Sequence, residues 1–184
     1  MNAGMGMAPP LYKGGAAVRP LGAHEWALYR TLRLRSLLDA PEAFCATLAE
    51  AELRTDDDWA WIVKLGATSG RDRPLVAQLD GTPLGLAWAR VDADDPGVVN
   101  LFQVWVAPEA RGHGVAAALL DAALGWARSR GARAMQLGVV CGNDAARRLY
   151  ERAGFRNAGA PEPQHPGASR MEQKMRLDLT GSAA

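Results

Sequence analysis

The sequence predicts a mixed α/β (α+β) domain, one sheet covered by helices. Three observations carry the prediction. Strand-like and helix-like segments alternate along the chain, an Asp-Gly turn joins two apolar runs near its middle, and the second half reads strand, helix, strand, helix, strand. An antiparallel meander that flows into a βαβ crossover is not a purely parallel, doubly wound sheet.

Each element follows from local signals. AAVRPL (16–21) reads as a short first strand. HEWALYRTLRLRSLL (24–38) places Trp26, Tyr29, Leu32 and Leu37 near helical spacing, and Asp39-Ala40-Pro41 stops it. Thr55 before three aspartates is an N-cap, opening a helix through Trp59, Trp61 and Ile62. Residues 74–91 form a hairpin about Asp80-Gly81, and VVNLFQVWV (98–106) is the next strand. The longest helix spans 114–130, with Val115, Leu119, Ala122 and Trp126 expected on its buried stripe and Asp121, Gly125 and Arg128 facing away. AMQLGVV (134–140) is a strand. Asn143 to Ala153 is a helix closed by Gly154, and residues 171–179 form the last strand. With no internal repeat and no linker, the expectation is a flexible tail over 1–15, a single domain over 16–179 and a C-terminal tail over 180–184.

Composition narrows the function classes. The chain is 48% apolar and 22% charged, with 21 basic against 20 acidic residues, which argues against disorder and against a nucleic-acid partner. Its 18 arginines and three lysines are scattered. Two cysteines are too few for a disulfide framework and suit a reducing cytoplasm. No apolar run is long enough to span a membrane, and no membrane partner is expected. Three histidines without ligand spacing predict no metal.

The chemistry concentrates in VWVAPEARGHGVAAA (104–118), where a strand hands over to a helix. Helix-start amides and the helix dipole favour an anion such as phosphate there. Gly112 and Gly114 let the backbone curl tightly, and Arg111 adds a charge. A P-loop is excluded, because Gly114-Val115-Ala116 lacks Lys and Ser/Thr. GHGVAA satisfies the dinucleotide fingerprint in letters only. Residues 107–111 separate it from the strand, and no acidic residue ends the following strand.

Residues 104–127 resemble the central motif of the GNAT superfamily of acyl-CoA N-acyltransferases, Q/R-x-x-G-x-G/A, with Arg111, Gly114 and Ala116 in its three positions. NDAARRLYERAGF (143–155) is similar to the second signature, matched at Asn143, Ala146, Leu149, Tyr150, Gly154 and Phe155. The resemblance covers about 16–179. It implies a mostly antiparallel sheet with one splayed parallel pair, helices on both faces, and acetyl-CoA as cosubstrate. By the family's pattern the pyrophosphate rests on Arg111, Gly112, His113, Gly114, Val115, Ala116 and Ala117. The pantetheine arm pairs with Val104, Trp105 and Val106 on a bulged strand that splays from AMQLGVV. Asn143, with Ala146 nearby, contacts that arm or orients its helix, and Tyr150 points its hydroxyl at the sulfur as general acid. A backbone N–H of Val104 or Trp105 polarises the thioester carbonyl.

The implied activity is acetyl transfer to a primary amine, small molecule or protein N-terminus or lysine. A non-catalytic acetyl-CoA sensor or interaction module is the alternative, and a homodimer stays open. No general base is assigned: Gln103 stands where many relatives carry glutamate, and can hold a water at most. Glu109 reads as a loop residue, and Asp92, Asp94 and Asp95 as a solvated turn. His113 is expected to face solvent or brush the phosphates, and Cys141 to be a small buried residue. Trp59 and Trp61 cannot face the same way, so one is expected on the acceptor pocket with Phe44 or Arg33. Residues 157–170 are expected to form a loop that shapes acceptor choice.

Overall fold

The computed structural model describes residues 14–180. The tails expected over 1–15 and 180–184 lie outside the described residues, apart from Gly14, Gly15 and Thr180. Gly14 N–H donates to Asp80 Oδ1 at 3.2 Å, so the chain is tied to the sheet from that point.

The elements run β1 Ala17–Pro20, α1 Trp26–Asp39, α2 Leu48–Glu52, α3 Asp56–Thr68, β2 Asp72–Leu79, β3 Thr82–Val91 and β4 Val98–Val106. They continue with α4 Val115–Ser129, β5 Ala134–Val140, α5 Asp144–Arg152, β6 Arg156–Asn157, β7 Glu162–Pro163 and β8 Met171–Asp178. The sheet order is β1-β2-β3-β4-β5-β8-β6, with β7 also on β8. Among the described residues, only β4 and β5 pair in parallel.

Local chemistry explains the boundaries. Thr55 Oγ1 accepts from Asp58 N–H while the Asp58 carboxylate accepts from Thr55 N–H, a reciprocal cap that starts α3. Thr47 and Glu50 repeat the device at α2, a helix that the periodicity does not reveal because it is only five residues long. Asp80 (φ 47°) and Gly81 (φ 80°) both take the left-handed conformation that matches the twist of a two-residue hairpin.

Successive residues of β3 point to opposite faces. A Cβ on Gly85 would touch Val115 and Leu119 of α4, whereas Trp88 meets Tyr29 of α1 and crosses Gly66 of α3. Helices therefore cover both faces. A Cβ on Gly66 would fall 2.2 Å from the Trp88 ring, so glycine is what lets α3 approach. The buried stripe of α4 is Val115, Leu119, Leu120, Ala123, Leu124 and Ala127. Ala122 and Trp126, expected on it, sit half-buried at its margin, because the stripe centres on Ala123 and at ~100° per residue they lie roughly 60–100° to one side of it. The loop expected over 157–170 contains β7 and, at Asn157, the end of β6, both held on β8.

Candidate active site

The site begins where β4 leaves β5. Their parallel pairing runs from Val98↔Ala134 to Leu101↔Leu137 and stops, although both strands continue. Against β3, β4 takes three steps from Phe102 to Trp105 while β3 takes two from Trp88 to Leu86. One residue is extra, a bulge that bends the strand away. Gln103 sits there with φ 57°, a conformation costly for any side chain with a Cβ. The buried Tyr29 hydroxyl holds it by donating to Gln103 Oε1 at 2.8 Å. Tyr29 is itself fixed edge-on against Trp59 and Trp88, with centroids 5.8 and 5.4 Å away. Gln103 thus spends its carbonyl on the bulge.

The turn after β4 feeds α4. Gly112 (φ 80°) and Gly114 (φ 76°) occupy left-handed backbone, and a Cβ on either would meet nothing within 4 Å. The first helical bond is Ala118 N–H to Gly114 O at 3.0 Å, which leaves the amides of Val115, Ala116 and Ala117 without a helical acceptor. The Arg111 side chain turns toward α1: Nε donates to Val106 O at 3.2 Å and Nη2 pairs with Asp39. Asp39 also accepts from Trp105 Nε1 at 2.8 Å. Arg111 braces the turn, and its charge is shared with a carboxylate.

Helix α5 brings Tyr150 to the split. Asn143 Oδ1 accepts from Ala146 N–H at 3.1 Å, capping the helix start. At its end Phe155 N–H donates to Tyr150 O and Gly154 N–H to Glu151 O, with Gly154 at φ 98°. This is a Schellman motif, and its apolar contact is the Tyr150–Phe155 ring pair at 5.9 Å. The Tyr-x-x-x-Gly-Phe spacing is therefore a device that locks the tyrosine in place. Burial pushes the Tyr150 phenol up to about 12. Its hydroxyl has no hydrogen bond among the described residues.

Two cavities meet at the split. The larger, about 1250 Å³, runs from the α4 turn past β4 to α5. The smaller, about 580 Å³, lies toward α1. Val104, Val140, Asn143, Ala146, Tyr150 and Phe44 line both. Of the residues that the sequence assigns to acetyl-CoA, Val104, Trp105, Val106, Arg111, Gly112, Gly114, Val115, Ala116, Ala117, Asn143 and Ala146 line the larger cavity. His113 does not: its Nδ1 lies 3.0 Å from Arg111 O, outside that wall. Arg148, Arg152 and Arg170, which sequence reading passed over, also line it and form no ion pair among the described residues. Open space over the glycines, free helix-start amides and these guanidinium groups fit a phosphate-bearing cofactor.

The smaller cavity is walled by side chains. Arg33, Phe44, Trp88 and Gln103 line it. Trp59 is fully buried in the core and Trp61 is 65% exposed, so neither joins the wall and Ile62 does. Glu172 also lines this cavity and, like the three arginines, has no role in the sequence reading. It sits on β8 with its carboxylate folded across β5, where a Cβ on Gly138 would fall 2.0 Å from Oε1. Burial raises its carboxyl above the usual glutamate range, with Lys174 opposing weakly. The signal available in sequence was a glycine inside the apolar run AMQLGVV, which marks a close approach without saying by what. The two acids weighed in the sequence, Glu109 and Asp92, are occupied. Glu109 pairs with Arg35 at 2.6 Å and is held below its usual range by it, and Asp92 accepts from Asn100 and two turn amides. Cys141, expected to be buried, is exposed and lines the larger cavity, since β5 ends there and the chain turns outward.

Among the described residues no group of three or more His, Cys, Asp or Glu could hold a metal, and no helix is long and apolar enough to cross a membrane. The profile of the acetyltransferase (GNAT) family matches residues 33–155. A mycothiol acetyltransferase from Thermobispora bispora is 34% identical over 67% of this chain and 40% of its own length. One from Beutenbergia cavernae is 30% identical over 81% of this chain and 48% of its own. The chain thus spans less than half the length of these relatives. Among solved structures, a GCN5-related N-acetyltransferase from Kribbella flavida superposes with a TM-score of 0.72 at 28% identity, covering 90% of this chain and 98% of that one. A Salmonella typhimurium protein solved with its cofactor acetyl-CoA shares the fold, with a TM-score of 0.73 at 21% identity over 93% of this chain and 98% of that one. A bulged strand splaying from its parallel neighbour, a glycine turn into a helix and a Schellman-locked tyrosine agree with that match: the chain belongs to the GNAT acetyltransferase family.

Proposed function

We propose that this protein transfers the acetyl group of acetyl-CoA to a primary amine by direct attack. The observation that carries the reading is the junction of the two cavities at Val104, Val140 and Tyr150, through the gap between β4 and β5. The larger cavity takes the cofactor, its phosphates toward the α4 turn and Arg148, Arg152 and Arg170. The smaller cavity takes the amine. The carbon–nitrogen bond forms and the carbon–sulfur bond breaks in the gap.

Three tasks fall to the chain's own residues. A backbone N–H on the freed edge of β4, at Val104 or Trp105, stabilises the oxyanion. Tyr150 donates to the departing sulfur. Its phenol stays protonated through neutral pH, and the burial that raises it also disfavours a bare thiolate beside it. Glu172, in no ion pair among the described residues and raised by burial, takes the proton that the ammonium loses. It fills a task that Gln103, an amide engaged with Tyr29, cannot perform.

Calorimetry with acetyl-CoA, followed by thiol release with a panel of amines, tests this. Binding with turnover on at least one amine is expected. Binding without turnover on a broad panel favours a sensor, and absence of binding removes both readings.

A further inference from the structure

Among the described residues, Arg33 on the wall of the smaller cavity has no carboxylate paired with it. Arg33, one turn after Tyr29 on α1, is 5% exposed, yet forms no ion pair among the described residues. Its guanidinium stacks on Phe44 with 4.5 Å to the ring centroid, and Nη1 donates to Ser36 Oγ at 3.3 Å. A guanidinium carries five N–H donors, and one neutral hydroxyl satisfies only one of them. Burying such a charge is unfavourable unless an anion faces it, and arginine does not escape by losing its proton.

The other charges on the wall fix what that anion can be. Arg90 is already held by Asp72 at 2.5 Å, so it offers no second free cation. Glu172 lies by Gly138 at the split and does not pair with Arg33. Arg33, Cys45 and Glu172 line the same cavity; burial raises the Cys45 thiol, with Glu172 adding to the rise and Arg33 opposing it. Apolar surface from Phe44, Trp88 and Ile62 completes the wall. The guanidinium fork matches a carboxylate with two parallel N–H bonds, and one unpaired cation in a cavity that also holds Glu172 balances a carboxylate's single charge but not a phosphate's two.

We infer that the acceptor is an amine that also carries a carboxylate, the carboxylate paired with Arg33 and the amino group presented to Glu172 at the split. This rests on the acetyl-transfer reading above. Arg33 is a specificity-determining residue in this scheme, because acceptors lacking the carboxylate leave it buried and unpaired.

The test uses matched probes on the whole chain: L-leucine against L-leucinamide, L-phenylalanine against phenethylamine, and 4-aminobutyrate against butylamine, each with acetyl-CoA. In at least one pair the acid is expected to win by ~100-fold in kcat/KM. Arg33→Gln should erase that preference and Arg33→Lys should retain part of it. Both variants should keep acetyl-CoA affinity, since Arg33 does not line the larger cavity. That affinity also reports whether the variants fold, and the wild-type comparison needs no variant. Amides or plain amines acetylated as well as the acids would overturn the inference, as would an acid preference unchanged in Arg33→Gln. So would acetyl-CoA binding with no acid acetylated. Failure of acetyl-CoA to bind wild-type protein would instead remove the acetyl-transfer reading.

Discussion

The two cavities that meet at the split are built from different parts of the polypeptide. The larger is shaped by main chain: the edge of β4, two left-handed glycines, the start of α4 and the capped start of α5. The smaller is shaped by side chains drawn from α1, the segment after it, β3, β4 and β8, with Arg33, Phe44, Trp88, Gln103 and Glu172 on its wall. On the proposed reading, the backbone-built wall takes what is common to acyl-CoA thioesters, and the side-chain-built wall chooses the acceptor. Substitutions on one side should therefore leave the ligand of the other side almost untouched.

Tyr150 stands on the boundary, and its loss should separate chemistry from binding most sharply. Tyr150→Phe keeps the ring against Phe155, so turnover is expected to fall by ~100-fold or more while acetyl-CoA affinity holds. Stopped-flow thiol release with parallel calorimetry reads both, and equal turnover would remove the hydroxyl from the mechanism.

Glu172→Gln comes next, with a loss of ~10–100-fold in kcat/KM for the amine. The sign of the pH dependence follows from its raised carboxyl: the base form fills only above the ordinary glutamate range, so the wild-type rate climbs with pH through a limb displaced upward. That limb should vanish in Glu172→Gln. Gly138→Ala should mimic it, because the new Cβ would land 2.0 Å from Oε1 and push the carboxylate aside. A limb that persists in both variants would assign it elsewhere.

On the other side, Gly114→Val places a β-branched residue at φ 76° and a side chain over the helix-start amides. Acetyl-CoA affinity should weaken by ~10-fold or more, from backbone strain of about 1–2 kcal/mol together with lost access to the amides. The KM of the amine should stay put; a change confined to the amine would contradict the division between the cavities.

Gly66→Ala is the mildest. Its Cβ would fall 2.2 Å from the Trp88 ring, so α3 or the ring must shift. Stability should drop by about 1–3 kcal/mol in chemical denaturation. A few-fold rise in the amine KM should accompany it, since Trp88 lines the smaller cavity. Unchanged stability would show that α3 yields freely.

The same division explains what the sequence discloses. Backbone-built features leave local marks: glycines where φ is positive, an asparagine where a helix begins, a Tyr-x-x-x-Gly-Phe where it ends. Residues 104–118 and 143–155 are legible for that reason. Side-chain-built features depend on register between distant strands. Glu172 reaches the split only because β8 pairs Glu172 with Val140 and β5 carries glycine at 138. Arg33 looks like one of several arginines on α1 until the fold buries it. Trp59 and Trp61 mislead in the same way: their spacing shows that they diverge, but not that one enters the core and the other faces solvent.

The most direct test of the joined cavities is a transfer assay with wild-type protein, acetyl-CoA and the amine panel, following free thiol and acetylated amine together. The account predicts that acetyl-CoA binds first and that thiol and acetylated amine then appear in equal amounts. Thiol released without acetylated amine, or acetyl-CoA bound with neither product, would contradict it.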